Sequence, residues 1–217
     1  MKRKVLQRVI VNNPKTKKIC FELKRKSVHI FIGSLIAFLI SKNWFFLPLW
    51  IFILVLGMFA SFFIKKGGKI PIFQEFILSF ERKEEKKNFP LRGALFFVAG
   101  CILSHIIFDS QIAVAAIITL IVGDTIAALY GLSLGKVKSP TNSQKHLDAA
   151  FVAATANTFF LSFLLSFPLG IIFLASITAF FSESLIPFEK MEKGILGLII
   201  NDNILIPLIF GLVLFFV

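Results

Sequence analysis

Asp124 is the residue around which the chemistry of this sequence gathers, because it lies inside an apolar run that begins near Gln111. A carboxylate at that depth costs about 2.5 kcal/mol or more even on lenient insertion scales, so it is expected to face a cavity, a partner or an ion. Small residues surround it: Gly123, Thr125, Ala127, Ala128, Gly131 and Gly135. They allow close helix approach or bring backbone near a ligand. Lys136, Lys138, Lys145 and His146 follow at the expected membrane edge. An intramembrane acid beside a glycine-rich, basic exit points to metal and phosphate chemistry at an interface.

Other polar groups also interrupt apolar runs: His29, Asp148, Glu183 and the run Asn201-Asp202-Asn203. Carboxylate and amide oxygens suit Mg²⁺, which keeps several waters and bridges phosphates. Lys136, Lys145 and His146 could neutralise a polyphosphate. A base beside a lipid hydroxyl would then assist phosphoryl transfer, where positioning and charge neutralisation supply most of the catalysis. On this reading Asp124 holds Mg²⁺ with help from Asp202 or Asp148. Lys136 and Lys145 hold phosphates, Arg25, Lys26 and His29 close the site, and Glu183 or His29 is the candidate base. Gly131-x3-Gly135-Lys136 lacks the spacing of a Walker motif.

Each residue has an ordinary alternative. Asp124 and Asp202 could be paired structurally, Glu183 could snorkel or pair with Lys190, and His29 could be an interface residue beside Arg25 and Lys26. Asn157, in mid-span, is expected to bridge helices. His105 and Asp109 fall at the opposite face and are left out.

The elements that must position these groups are membrane helices. The chain has 217 residues, 57% of them hydrophobic, and a net charge of +12. Its mean hydropathy is +0.85, and several runs exceed the ~18 residues needed to span a bilayer. An all-α polytopic integral membrane protein is expected, with spans near 27–41, 44–64, 90–108, 111–134, 147–167, 169–186 and 195–217. Ile72, Phe73, Phe76, Ile77 and Phe80 share one helical face after Pro71, which predicts an amphipathic helix lying on the membrane. Residues 1–26 form a basic arm with ten Lys or Arg against the single acid Glu22, and residues 27–217 a single transmembrane catalytic domain. The arm has no apolar core or cleavage site of a removable signal peptide. A cytoplasmic N-terminus places every Lys and Arg except Lys42 on one side, as the positive-inside rule requires, with the C-terminus opposite. That topology brings the buried acids to one leaflet. The basic charges flank apolar runs, so anionic headgroups and phosphates are the expected contacts rather than nucleic acid. Cys20 and Cys101 have no metal-ligand spacing.

Gly123-Asp124-Thr125-x-Ala127-Ala128-x2-Gly131-x3-Gly135-Lys136 resembles the signature of the CTP-dependent lipid kinases, the group of dolichol kinase, phytol kinase and yeast-type diacylglycerol kinase, which is related to phosphatidate cytidylyltransferase. Glu22-Leu-Lys-Arg25-Lys26-x2-His29 resembles that group's N-terminal motif, and Asn201-Asp202-Asn203-x3-Pro207-Leu208 its C-terminal one. Asn88-Phe89-Pro90-x2-Gly93 and Glu183 also fall where the group carries similar residues. The resemblance covers about residues 20 to 212. It departs at Lys145-His146-Leu147-Asp148-Ala149-Ala150, where the group carries Lys-Ser/Thr-x-Glu-Gly-Ser; the lysine and an acid are kept.

The resemblance implies transfer of the CTP γ-phosphate to a membrane lipid alcohol, a dolichol or polyprenol or a diacylglycerol, at the cytoplasmic leaflet. It implies Mg²⁺ near Asp124 and Asp202, with Asp148 kept as a metal candidate from the residues alone. The expected nucleotide-binding set is Gly123, Thr125, Gly131, Gly135, Lys136, Lys145, His146, Arg25, Lys26, Asn201 and Asn203. The alternatives are a cytidylyltransferase making a CDP-lipid, a small ion-coupled transporter, and an inactive lipid-binding relative.

Overall fold

Asp109 starts the element that the other helices pack around. Its Oδ1 accepts the N–H groups of Gln111 (2.8 Å) and Ile112 (3.1 Å), which satisfies orphan donors at a helix N-terminus. The structure is a computed structural model and describes residues 14–81, 89–187 and 201–217. In chain order the helices are α1 (Pro14–Ser41), α2 (Leu47–Lys65), α3 (Pro71–Phe80), α4 (Arg92–Ile107), α5 (Ser110–Ile118), a π-helical turn (Thr119–Gly123), α6 (Asp124–Ser133), α7 (Leu147–Leu164), α8 (Leu169–Leu185) and α9 (Asp202–Phe215). Among the described residues the protein is all-helical, apart from one isolated antiparallel bridge between Lys138 and His146.

The α5–π–α6 rod runs unbroken over Ser110–Ser133, 24 residues, or about 36 Å at 1.5 Å per residue. Its interior positions are small or branched: Ala113, Ala115, Ala116, Ile117, Leu120 and Ile121 are all buried. The helices α1, α4, α7 and α9 pack on this rod, α8 fills the space between α7 and α9, and α2 leans on α4. Consequently α2 exposes Phe52, Phe59 and Phe62, as an apolar helix facing lipid does. In mid-bundle Asn157 bridges helices as expected. Its Nδ2 donates to Thr119 Oγ1 (3.0 Å) and Ser176 Oγ (2.9 Å), tying α7 and α8 to the π turn.

The rod, α2 and α7 are long and apolar enough to cross a membrane; α4, α8 and α9 are apolar but shorter. The first expected span is part of a longer helix. α1 has 28 residues and runs unbroken through the position where arm and membrane domain were expected to meet. Its buried stripe Glu22, Lys26, His29, Gly33, Ile36, Ile40 recurs every three or four residues, so one helical face is charged at one end and apolar at the other. The expected helix after Pro71 is present as α3. The last span differs. Asn201 is extended and its side chain accepts the Asn203 N–H at 2.9 Å, so α9 begins at Asp202 instead of two turns earlier. Asparagine is among the strongest N-caps because its side-chain oxygen replaces the missing carbonyl partner. Residues 195–200 of that span, the charge run 82–87 and Lys190 lie outside the described residues.

Candidate metal and phosphate site

Two helix ends and the π turn in the middle of the rod bring three acids together. Asp124 is the first residue of α6, Glu183 lies in the last turn of α8, and Asp202 opens α9. Each offers a carboxylate oxygen, and these oxygens lie within 4.8 Å of one another. Among the described residues this is the one such group of three. Asp124 and Glu183 are buried and Asp202 is half-buried. The donor set is all oxygen, hard and anionic, which suits Mg²⁺ and gives no reason to expect a softer metal.

The chain bends where it does for local reasons. The π turn immediately before Asp124 disturbs the i→i−4 ladder, and such turns recur at functional sites. The Thr119 and Thr125 hydroxyls donate back one turn, to Ala115 O (2.9 Å) and Ile121 O (2.5 Å). Gly123 lets the rod approach α8: a Cβ there would collide with the Phe180 ring. Gly100 does the same between α4 and α9, where a Cβ would strike the Asn203 carbonyl. These two contacts set the positions of Asp124 and Asp202 relative to Glu183.

Two ammonium groups enter the acidic pocket. Lys26, buried on the α1 stripe, pairs with Asp124. Lys145 pairs with Glu183, and its Nζ lies 3.7 Å from Asp202 Oδ2. Burial pulls the Lys145 pKa down, but Glu183, Asp202 and Asp124 outweigh it and hold the group above the ordinary lysine range. Glu183 is therefore neither snorkelled to water nor left to a surface lysine.

Lys145 is delivered by an ordered hairpin. Ser139 N–H donates to Lys145 O (2.9 Å) and Leu147 N–H to Val137 O (2.8 Å). Thr141 Oγ1 and Asn142 Nδ2 donate to the carbonyls of Leu185 and Ile186 at the end of α8 (2.5 and 3.3 Å). Sequence reasoning missed Ser139, Thr141 and Asn142, although Ser139-Pro140-Thr141-Asn142 is a turn-forming run.

Several predicted site residues serve this scaffold. Asp148 is not brought to the three acids: its Oδ2 accepts the Lys136 N–H at 2.7 Å and closes the hairpin. The Lys136 side chain is exposed and outside the cluster. Gly131 and Gly135 pack against the His146 ring, so that edge of the glycine-rich stretch is filled by protein. Asn201 caps α9, and Asn203 Nδ2 donates to Gly93 O at 3.4 Å. Arg25 is held by Glu22 through Nε (3.0 Å) and Nη2 (2.8 Å). His29 stacks on Phe97, ring centroids 4.6 Å apart, one turn along α1 from Lys26.

Twelve residues of α1 precede Lys26 and nine residues of α6 follow Asp124, projecting about 14 to 18 Å beyond the acids at 1.5 Å per residue. Lys15 Nζ donates to Ser133 O at 2.9 Å and ties these two ends together. The basic end of α1 and the end of α6 are thus joined away from the acids.

Comparison with known proteins gives distant relatives. A probable phytol kinase 3, chloroplastic, of Glycine max is 30% identical over 148 residues, covering 62% of this chain and 43% of that protein. An uncharacterised protein of Rickettsia prowazekii is 29% identical over 202 residues, 89% of this chain and 93% of that one. Another, of Methanocaldococcus jannaschii, is 34% identical over 120 residues, 54% of this chain and 59% of that one. The matched region thus spans about half the length of the kinase and of the archaeal protein. No protein-family model and no solved structure matches. One distant relative therefore carries the name of a lipid kinase.

Proposed function

We propose that the protein is a CTP-dependent lipid kinase that transfers the γ-phosphate to a membrane lipid alcohol at the cytoplasmic leaflet. The observation carrying this reading is the meeting of Asp124, Glu183 and Asp202 with Lys26 and Lys145. The soybean relative named as a phytol kinase supports the reaction class. The seven crossings are α1, α2, α4, the α5–α6 rod, α7, α8 and α9, with the N-terminus cytoplasmic, the C-terminus opposite, and α3 at the interface.

Asp124, Glu183 and Asp202 would hold Mg²⁺. A bound Mg²⁺ supplies charge neutralisation on the β- and γ-phosphates. Lys26 and Lys145 meanwhile occupy the acids and are placed to exchange carboxylate partners for phosphate oxygens as nucleotide and cation arrive together. Such an exchange keeps every buried charge paired, which a low-dielectric pocket demands. His29 is the better candidate base, since Glu183 would be committed to the cation once Lys145 has turned to phosphate. The alcohol oxygen forms its bond to the γ-phosphorus as the bond to the β–γ bridging oxygen breaks. CDP leaves, and the hydroxyl proton passes to a His29 ring nitrogen.

Product analysis tests the reading. Purified protein in vesicles with Mg²⁺, CTP and a prenol is expected to yield lipid monophosphate and CDP in equal amounts. Pyrophosphate and a CDP-lipid would instead make it a cytidylyltransferase, and solute flux without nucleotide turnover a carrier.

A further inference from the structure

The two ammonium groups in the acidic pocket differ in access. The Lys26 and Asp124 side chains are each 3% exposed, whereas that of Lys145 is 30% and that of Asp202 29% exposed. Lys145 therefore stands on the side of the three acids that water reaches. It also touches two of them: Nζ is paired with Glu183 and lies 3.7 Å from Asp202 Oδ2. The backbone beneath it is fixed. Lys145 N–H donates to Asn142 O (3.1 Å) and Lys145 O accepts from Ser139 N–H (2.9 Å), while Asn142 Nδ2 holds Ile186 O at the end of the helix that carries Glu183.

We infer that Lys145 is a tethered competitor of the divalent cation: it closes the site to a free cation and yields to one that arrives carrying a polyphosphate. The inference rests on the metal reading of the three acids above. Three carboxylates and two ammonium groups leave the pocket one negative charge in excess. A dication added with both ammonium groups in place would leave one positive charge in excess, in surroundings where like charges repel more strongly than in water. A dication that displaces Lys145 instead makes it exchange two carboxylates for water, which opposes binding. A polyphosphate removes the conflict, because its oxygens accept the displaced Nζ in charge-assisted hydrogen bonds while the carboxylates turn to the cation. Lysine suits the exchange, since its ammonium is a point charge on a flexible four-carbon stem and can swing while the hairpin backbone stays docked.

The test is Mn²⁺ binding, read by electron paramagnetic resonance on full-length protein in detergent with no nucleotide present. Wild type is expected to bind free Mn²⁺ weakly. Lys145→Met should bind it roughly tenfold tighter or more, and Lys145→Arg, which keeps the charge, as weakly as wild type. With the preformed complex of Mn²⁺ and inorganic tripolyphosphate the order reverses. Lys145→Met should then bind roughly tenfold more weakly than wild type, having lost the partner of the phosphate. A merely damaged pocket would weaken both. Lys145→Gln, which keeps a hydrogen-bond donor on the hairpin, is measured alongside, so the comparison does not depend on one variant folding. Free Mn²⁺ held no more tightly by the uncharged variants than by wild type overturns the inference, as does an unchanged affinity for the tripolyphosphate complex. Both shifts without phosphate transfer from CTP to any lipid alcohol keep the role of Lys145 and sink the kinase reading instead. Lipid phosphate made by a wild type that holds free Mn²⁺ as tightly as Lys145→Met does the reverse.

Discussion

Lys26 is buried against Asp124, a residue 98 positions further along the chain, and each side chain is only 3% exposed. Removing one partner of such a pair leaves a desolvated charge and costs about 3–5 kcal/mol, whereas removing both is far cheaper. Lys26→Met should therefore destabilise the protein strongly, and adding Asp124→Asn should recover much of the loss. Thermal unfolding of the detergent-solubilised double-mutant cycle checks this. Additive losses would mean that the two groups are not coupled.

Lys145 gives a prediction about pH. Its pKa lies above the ordinary 10.5 because three acids outweigh the effect of burial. A group whose folded pKa is raised contributes stability that is fully present below its unfolded pKa and fades only as pH rises through the folded value. Stability measured through the neutral range should show no transition that Lys145→Met removes. A neutral-range transition lost in that variant would contradict the pairing with Glu183 and Asp202.

On the proposed reading the acids divide into metal ligands and scaffold. Glu183→Gln should weaken Mn²⁺ binding at least about tenfold, ~1.4 kcal/mol, as read by calorimetry in the presence of CTP. Asp148→Asn should leave Mn²⁺ affinity unchanged and loosen the 136–147 hairpin, seen as faster amide exchange at Lys136. The reverse pattern would return Asp148 to the metal.

At Gly100 the obstacle to a side chain is backbone. A Cβ would meet the Asn203 carbonyl, and overpacking of this kind costs about 1–3 kcal/mol. Gly100→Val should shift the start of α9, reducing metal affinity without touching any ligand. Gly170→Ala, where a Cβ meets nothing within 4 Å, is the control and should be silent.

Much of this was legible in the sequence. Asp124, Glu183 and Asp202 stood out because charges in apolar runs are expensive, and the structure brings the three together. Lys145 was expected to hold phosphate; its carboxylate partners were not legible, because they arise from a hairpin fixed to α8 by Thr141 and Asn142. Asp148 looked equivalent to the other acids since sequence shows depth and not direction; its oxygen is taken by the Lys136 backbone. The glycines at 131 and 135 matched a phosphate-binding expectation, yet the His146 ring packs on them. The start of α9 was misplaced because the apolar run continues upstream of Asn201, and hydropathy does not register a cap.

The central claim is that these three acids hold a cation which in turn meets the triphosphate. Pulsed electron paramagnetic resonance of Mn²⁺ with CTP on the vesicle-embedded protein tests it most directly. The account predicts a protein-bound Mn²⁺ with ³¹P hyperfine coupling that disappears from the protein in Asp124→Asn and Asp202→Asn. Coupling that persists undiminished in both variants would contradict it.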